Sequence, residues 1–386
     1  MVISRKPPIY KGLVSSARFH WNKIFLNPRQ GGITTTSLHV CVLITTYKRS
    51  DLLGYALEGL EKQTYSDFEV LVILKPSGDK TEDVVKTYEK TLRIKLIKQE
   101  KGYFVDALNL GLEHAKGDII AFLDDDAVPF PDWLKNHVET YAKSKVGGVA
   151  GNVIQTSLYK KLTTKDDVSE IIPNDRPFLE TMGQKIWSQP LQGLENHLVY
   201  ISKAGKVDYN SRMSHRARHQ TVKSMLGMGA NMSVLSEAIE GFRFPDSWLP
   251  IEAATEQFLG WHIWKRGYNL FFNPHARVRH LVHGQTLSRN IIDTRKEFLR
   301  SVGSSLLYYR LYGLEPGLSK MRRICLLIFS VLTNIKKICK DKETWRITRI
   351  KAAFYSELIG VKWLLSRKVG GLYSLKTAFE RYVKLE

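Results

Sequence analysis

Along residues 38–125 the chain alternates between two hydrophobic rhythms. Short, nearly continuous apolar runs stand at 39–46 (HVCVLITT), 68–74 (FEVLVIL), 94–97 (IKLI) and 119–123 (IIAFL). Between them lie segments whose apolar residues return every three or four positions, the first set by Leu52, Leu53, Ala56, Leu57 and Leu60 within 51–63, with 81–91 and 106–115 following. The first rhythm belongs to buried strands and the second to amphipathic helices. Strand and helix in regular alternation predict an α/β domain with a mostly parallel sheet covered by helices on both faces. Such sheets bind ligands at the carboxyl ends of their strands, which directs attention to the loops after Thr46, Leu74 and Leu123.

The pattern breaks over 158–225 into polar and basic segments carrying Arg212, Arg216 and Arg218, which is the expectation for an insertion over the sheet. An apolar segment resumes at 228–235, 256–266 forms a Trp-rich helix, and 269–272 with 276–280 predict two closing strands. Near the end, Ile347, Ile350, Phe354, Leu358, Val361 and Leu365 recur at steps of three and four, with Arg346, Arg349, Lys351 and Lys362 mostly off that stripe. This predicts a basic amphipathic helix over 345–365, and the apolar run 324–332, flanked by Arg322, Arg323, Lys336 and Lys337, is a second candidate.

Composition sharpens the picture at the two ends of the chain. At 386 residues and 43% hydrophobic this is a folded globular protein rather than a disordered or polytopic one. Its net charge of +20 is unevenly placed: residues 1–37 hold six Lys/Arg and no acid, and 320–386 hold 16 Lys/Arg against five Asp/Glu. The expected organisation is therefore a basic extension and linker over 1–37, a catalytic domain over 38–319, and a basic helical region over 320–386. That last region is expected to lie on a membrane surface, with a merely solvated basic face covering the domain as the plainer alternative. The longest apolar run, nine residues, falls short of the roughly 20 needed to span a bilayer. Neither a signal peptide nor a disulfide framework is legible, and three scattered cysteines point to a reducing compartment, hence the cytoplasmic face. Basic ends also admit nucleic acid, but the aromatics are dispersed rather than interleaved with the basic residues, so none is expected.

Asp124, Asp125 and Asp126 follow the fourth apolar run directly, on a ligand-binding loop. Three adjacent carboxylates repel one another and require a positive partner, most simply Mg²⁺ or Mn²⁺. A helix start is the other reading, with Asp126 or Asp132 as the cap before Trp133, and Asp132 suits that role better.

The blocks HVCVLITTYKRSDLL, VDALNLGLEHAKGDIIAFLDDDAVPFPDWL, GANMSV, GFRFPDSW, TEQFLGWHIWKRGY and FNPHARVRH, in this order over about 38–285, resemble those of family 2 glycosyltransferases, whose fold is GT-A. The resemblance implies that the triplet is a DxD motif, with Asp126 a metal ligand and Asp124 at the nucleoside or ribose, and with Asp125 beside it at the nucleotide sugar. It also implies that Thr45, Tyr47 and Arg49 line the nucleoside pocket, although an ordinary strand-to-helix turn is the bland reading of that loop. Many family members close the second strand with an acid pair and a glycine. Here Lys75, Pro76, Ser77, Gly78 and Asp79 stand in their place, so Lys75 takes over the base contact and the choice between UDP and GDP stays open.

The family's general base precedes a glycine by eleven residues, and counting back from Gly267 reaches Glu256, with Glu252 as the rival and a helix-dipole acid as the bland reading. His280, with His275 and His283 nearby, is implied to complete the metal shell. Gly229, Ala230 and Asn231 are implied to border donor sugar and acceptor. Trp264, with Trp261, offers an indole for sugar stacking, or equally a core residue. The implied activity is inverting, metal-dependent transfer of a sugar from a UDP- or GDP-sugar to an acceptor hydroxyl, on a lipid-linked saccharide, another saccharide or a polyprenyl phosphate. A sugar nucleotidyltransferase is the competing enzyme, but TTYKRSDLLG lacks that class's glycine density.

Overall fold

In the computed structural model, the apolar runs become adjacent strands, three of them buried along most of their length and the fourth, at 94–97, partly exposed at the end of the sheet. The structure describes residues 38–157, 168–169, 186–244, 254–282, 294–342 and 346–368. The expectations for 1–37, for most of 158–185, and for Glu252 and His283 lie outside them.

The strands in chain order are β1 (Val40–Thr46), β2 (Phe68–Leu74), β3 (Ile94–Lys98), β4 (Ile119–Leu123), β5 (Ala127–Pro129), β6 (Val146–Ser157), β7 (Val168–Ser169), β8 (Val199–Ile201), β9 (Val207–Tyr209), β10 (Val222–Lys223), β11 (Asn231–Leu235) and β12 (Asn269–Val282). The helices are α1 (Ser50–Glu61), α2 (Thr81–Tyr88), α3 (Phe104–His114), α4 (Trp133–Thr140), α5 (Ser211–Ala217), α6 (Thr255–Lys265), α7 (Thr294–Ser305), α8 (Leu307–Leu311), α9 (Lys320–Asp341) and α10 (Ile347–Lys368). The main sheet runs β10-β12-β6-β11-β4-β1-β2-β3, with β5 beside β12 and β7 beside β6. β3, β2, β1 and β4 are mutually parallel, β11 is antiparallel to both β4 and β6, and β12 is parallel to β6. This is the mostly parallel α/β sheet that the two rhythms predict.

Three features depart from the sequence reading. The central strand β6 goes unforeseen because its start, Val146-Gly147-Gly148-Val149-Ala150-Gly151, is glycine-rich and resembles a loop. Tertiary contact explains the composition: a Cβ on Gly151 would stand 2.3 Å from both the Ala276 carbonyl oxygen and Asn231 Oδ1. The two closing strands are one strand, β12, whose register to β6 shifts between Asn273 and Arg277, around Pro274. Finally, the end of the insertion joins the sheet rather than lying over it, since Val222 and Lys223 pair with Phe272 and Phe271.

The C-terminal helices pack on a second, smaller core of Val302, Leu306, Tyr308, Tyr309, Ala352 and Ile359. Trp187 stacks on Phe329 with ring centroids 4.0 Å apart, and the Ser319 amide donates to the Lys203 carbonyl at 2.7 Å, tying α9 to the segment before the β8–β9 hairpin and to its turn.

Candidate active site

Strand register brings the site together. β1 and β4 are parallel with Leu43 opposite Phe122, so Thr45 and Thr46 end beside Asp124. β11 enters antiparallel with Asn231 opposite Leu123, which places Gly229 at the same sheet edge. β12 pairs His280 with Ala127 of β5, and the Leu281 amide donates to the Asp126 carbonyl at 2.9 Å. His280 thereby faces the triplet from 154 positions away, with Nε2 2.8 Å from Asp126 Oδ1 and 3.8 Å from Asp124 Oδ2.

Asp124, Asp126 and His280 each offer one ligand atom, and these atoms lie within 4.8 Å of one another. Two carboxylate oxygens and an imidazole nitrogen suit a divalent cation. The electrostatics agree with this. The Asp124 carboxyl is pushed up to about 7, by burial first and then by the Asp126 charge, so the site is short of positive charge as it stands.

Part of the compensation comes from the protein itself. Arg49, from the turn after β1, donates through Nη1 to Asp125 Oδ1 at 2.8 Å and lies 3.5 Å from Asp126 Oδ2. Burial disfavours its charge, but the three carboxylates outweigh this and raise its pKa. Asp125 is itself buried at 3% exposure and engaged by Arg49. It anchors the loop from within. Arg49 likewise acts as counter-charge to the triplet. Asp132, not Asp126, occupies the cap position of α4, without a side-chain capping bond, so a helix start does not account for the triplet.

Glu256 lines a cleft together with Asp124, Thr45 and Gly229. It lies in the first turn of α6, only 9% exposed, and its Oε2 accepts from the Thr255 hydroxyl at 2.9 Å. Burial raises its pKa against the pull of its own backbone amide and of Thr255 and Gln257. That gives a carboxylate with more proton affinity than a surface glutamate, lining the same cleft as Asp124.

At the other end of the site, Lys75 follows β2. Its Nζ donates to the Gly102 carbonyl at 2.9 Å and stands 5.4 Å from the Tyr47 ring centroid and 5.5 Å from that of Tyr103. Tyr47, 44% exposed, is free to face a ligand. Tyr103 lies on the loop after β3, outside the three loops that the sequence pattern points to. Being a fourth carboxyl-end loop, it carries the signal that would have found this residue.

Three expected contacts are not brought to the cleft. Asn231 is fully buried: its Oδ1 accepts from Trp133 Nε1 at 2.8 Å and from His137 Nε2 at 2.9 Å, while its Nδ2 donates to the Asn152 and Ala276 carbonyls at 3.0 and 2.9 Å. All four of its hydrogen-bonding positions are filled, so it locks α4, β6 and β12 together and has none left for a sugar. His137 is held neutral beside it, burial lowering its pKa to about 4. With its Nε2 proton given to Asn231, its Nδ1 accepts from Ser233 Oγ at 2.9 Å, and Ser233 in turn accepts from Tyr141. Ala230 is buried at 3% exposure. Trp264 lies eight residues beyond Glu256, about 12 Å along the helix, and packs beside Gly193. Trp261 is a core residue whose Nε1 donates to Glu315. His275 is exposed at the β12 irregularity, apart from the cluster.

Residues 41–211 match the signature of the glycosyl transferase family 2. This segment is a family 2 glycosyltransferase domain. The chain is 33% identical over 126 residues to the glycosyltransferase AglE of Haloferax volcanii, covering 31% of this chain and 41% of that one. It is 30% identical over 182 residues to the chondroitin synthase of Escherichia coli, covering 46% of this chain and 24% of that one. The chain thus spans less than half the length of either relative. Among solved structures, the mannosyltransferase PcManGT of Pyrobaculum calidifontis, in complex with GDP-Man and Mn²⁺, aligns with a TM-score of 0.48 and 17% identity over 86% of this chain and 91% of that one. That likeness is too loose to assign residues.

Proposed function

We propose that the protein is an inverting, metal-dependent glycosyltransferase that moves a sugar from a UDP- or GDP-sugar to an acceptor hydroxyl on a lipid-linked saccharide, another saccharide or a polyprenyl phosphate. The observation that carries this reading is the Asp124–Asp126–His280 cluster, whose Asp124 lines the same cleft as Glu256, with both aspartates inside the segment that matches family 2.

Asp124, Asp126 and His280 would hold Mn²⁺ or Mg²⁺, the imidazole favouring Mn²⁺. When bound, the cation neutralises the donor's diphosphate and stabilises it as leaving group. Glu256 accepts the acceptor's hydroxyl proton as that oxygen bonds to the anomeric carbon and the bond from that carbon to the diphosphate breaks, releasing the nucleoside diphosphate. A single displacement of this kind inverts the anomeric centre. Arg49 holds the acidic loop in place through Asp125. Thr45, at the end of β1, borders the nucleoside, and Tyr47 and Tyr103 present rings to the base. The Lys75 ammonium is a donor only, so it recognises a base carbonyl, which both uracil and guanine possess.

Support for a lipid-borne acceptor comes from a relative in Methanococcus voltae, named as a dolichyl N-acetyl-glucosaminyl phosphate glycosyltransferase, which is 32% identical over 128 residues. Free Cys41, Cys325 and Cys339 suit a reducing compartment and so the cytoplasmic face. The test is a thermal-shift screen of UDP- and GDP-sugars with and without Mn²⁺, since a ligand at 100 times its Kd adds about 2.7 kcal/mol to stability. Stabilisation by one nucleotide class, only with the cation, is the expected result; equal stabilisation without the cation removes the metal assignment.

A further inference from the structure

The helices α9 and α10 each turn a stripe of large apolar side chains outward. On α9, Met321, Ile324, Ile328, Leu332 and Ile335 are between 45 and 69% exposed. At 100° per residue these five fall within an arc of about 80°, a stripe about 21 Å long. On α10, Ile347, Phe354, Leu358, Val361 and Leu365 are between 45 and 66% exposed. They fall within an arc of about 60° over about 27 Å.

The faces turned inward carry polar groups beside apolar ones such as Ile359 and Phe329. Arg323 and Asn334 of α9 are buried at 5 and 6% exposure, and Ser356 of α10 is fully buried. Arg323 Nε donates to Glu357 Oε1 at 3.0 Å, binding one helix to the other. Small residues complete the inner face of α10: Ala352 is fully buried, and Gly360 lies so close to Tyr309 that a Cβ there would overlap the ring. An apolar stripe that served to cover the domain would be the buried face. These two stripes instead point away from it, and so many large apolar side chains in register mark an interaction surface.

Charge identifies the occupant. Residues 320–368 carry 13 Lys/Arg against three Asp/Glu, and one of those acids, Glu357, is already paired with Arg323. Lys336, Lys351 and Lys362 are exposed and lie about 50–80° from the centre of their stripes, where long stems reach along an apolar face while the ammonium stays in water. A second copy of this chain would bring a surface of the same sign. So would residues 1–37, with six Lys/Arg and no acid. Among the described residues no helix is long and apolar enough to cross a membrane.

We propose that the exposed stripes of α9 and α10 lie in the interfacial plane of an anionic bilayer, their apolar side chains among the acyl chains and the flanking lysines at the headgroups. This surface stands on its own observations and does not depend on the transferase reading.

The test is co-sedimentation of the full chain with phosphatidylglycerol–phosphatidylcholine vesicles and with phosphatidylcholine alone, beside the variant Ile328→Asp/Leu332→Asp/Phe354→Asp/Leu358→Asp. The parent is expected to bind the anionic vesicles, and the variant to lose about 10²-fold or more in partitioning. Lys336→Gln/Lys351→Gln/Lys362→Gln should lose about 10-fold, as should the parent in high salt. Both variants should keep the parent's Tm and its metal-dependent nucleotide binding, which separates this outcome from any failure of the enzymatic reading. Unchanged vesicle binding by the aspartate variant overturns the proposal. So does a collapsed Tm, which would mean that the chain itself covers the stripes. A lipid-free dimer seen by light scattering and dissolved by the same substitutions would assign the surface to a second copy.

Discussion

The acidic edge of the sheet and the C-terminal helix pair break the ordinary distribution of polarity in opposite directions. At the sheet edge, Asp125, Asp126, Glu256 and His280 are buried, each held by a specific partner or by the cleft it lines. On α9 and α10, ten large apolar side chains face outward while Arg323, Asn334 and Ser356 face in. A buried charge needs a partner of defined geometry and so encodes chemistry, whereas an exposed apolar stripe needs only a surface and so encodes location. The two regions should therefore respond differently to substitution. Changes at the edge should act on catalysis or on the fold, and changes on the stripes on where the protein resides.

The largest effect is expected from Asp126→Ala, which removes a carboxylate from the cation's donor set. Metal-dependent nucleotide binding should vanish in a Mn²⁺ titration followed by thermal shift, and turnover should fall by about 10³-fold or more. Full retention of both would move the metal elsewhere. Glu256→Gln should leave donor affinity intact and lower transfer by a factor on the order of 10² to 10⁴. In the parent the base must be ionised, so activity should decline as pH falls through a pKa above that of an ordinary glutamate, and this limb should be missing from the residual activity of the variant. Stability gives an independent reading of the same group. A carboxyl whose folded pKa is raised stabilises the fold below its unfolded pKa, and that contribution is lost as pH rises through the folded one. Relative to the parent, Glu256→Gln should accordingly gain in Tm as pH rises across that window.

Asn231→Ala distinguishes a lock from a sugar contact. Removing it strands Trp133 Nε1, His137 Nε2 and two carbonyls, at about 1–3 kcal/mol for each buried group left unpaired. The expected result is a Tm loss of many degrees, or failure to fold; a stable protein with a raised KM for donor would restore the sugar contact. Gly151→Ala presses on the same junction and should cost about 1–3 kcal/mol by denaturant titration. The smallest effect belongs to the other region. Leu358→Asp, on the α10 stripe, should change stability by no more than about 0.5 kcal/mol, since the side chain is half exposed and contributes little to the core.

Periodicity made the first half of the sheet legible. β2 and β4 fall at 68–74 and 119–123 as predicted, because strands buried on both faces must be apolar at every position. The same logic located the loops bearing Asp124, Lys75 and Tyr47. The amphipathic pattern of α10 was equally legible, but a pattern shows only that one face is apolar, not which way it turns. That direction was decided by the Arg323–Glu357 contact and by the packing of Ala352 and Ile359 on Tyr309, which turn the opposite face inward.

What the sequence by itself determined were the local quantities: strand and helix rhythm, the three adjacent acids, the imbalance of charge at the ends. Tertiary structure decided everything that depends on residues distant in the chain. It brought His280 to Asp126 through the pairing of β12 with β5, turned Arg49 onto Asp125, and used Asn231 to join α4, β6 and β12. It also made the glycine-rich 146–151 a central strand, because β11 and β12 approach too closely there to admit a side chain at Gly151. A side chain's role is set by which partners claim its hydrogen bonds and its volume, and those partners are known only once the chain has closed on itself.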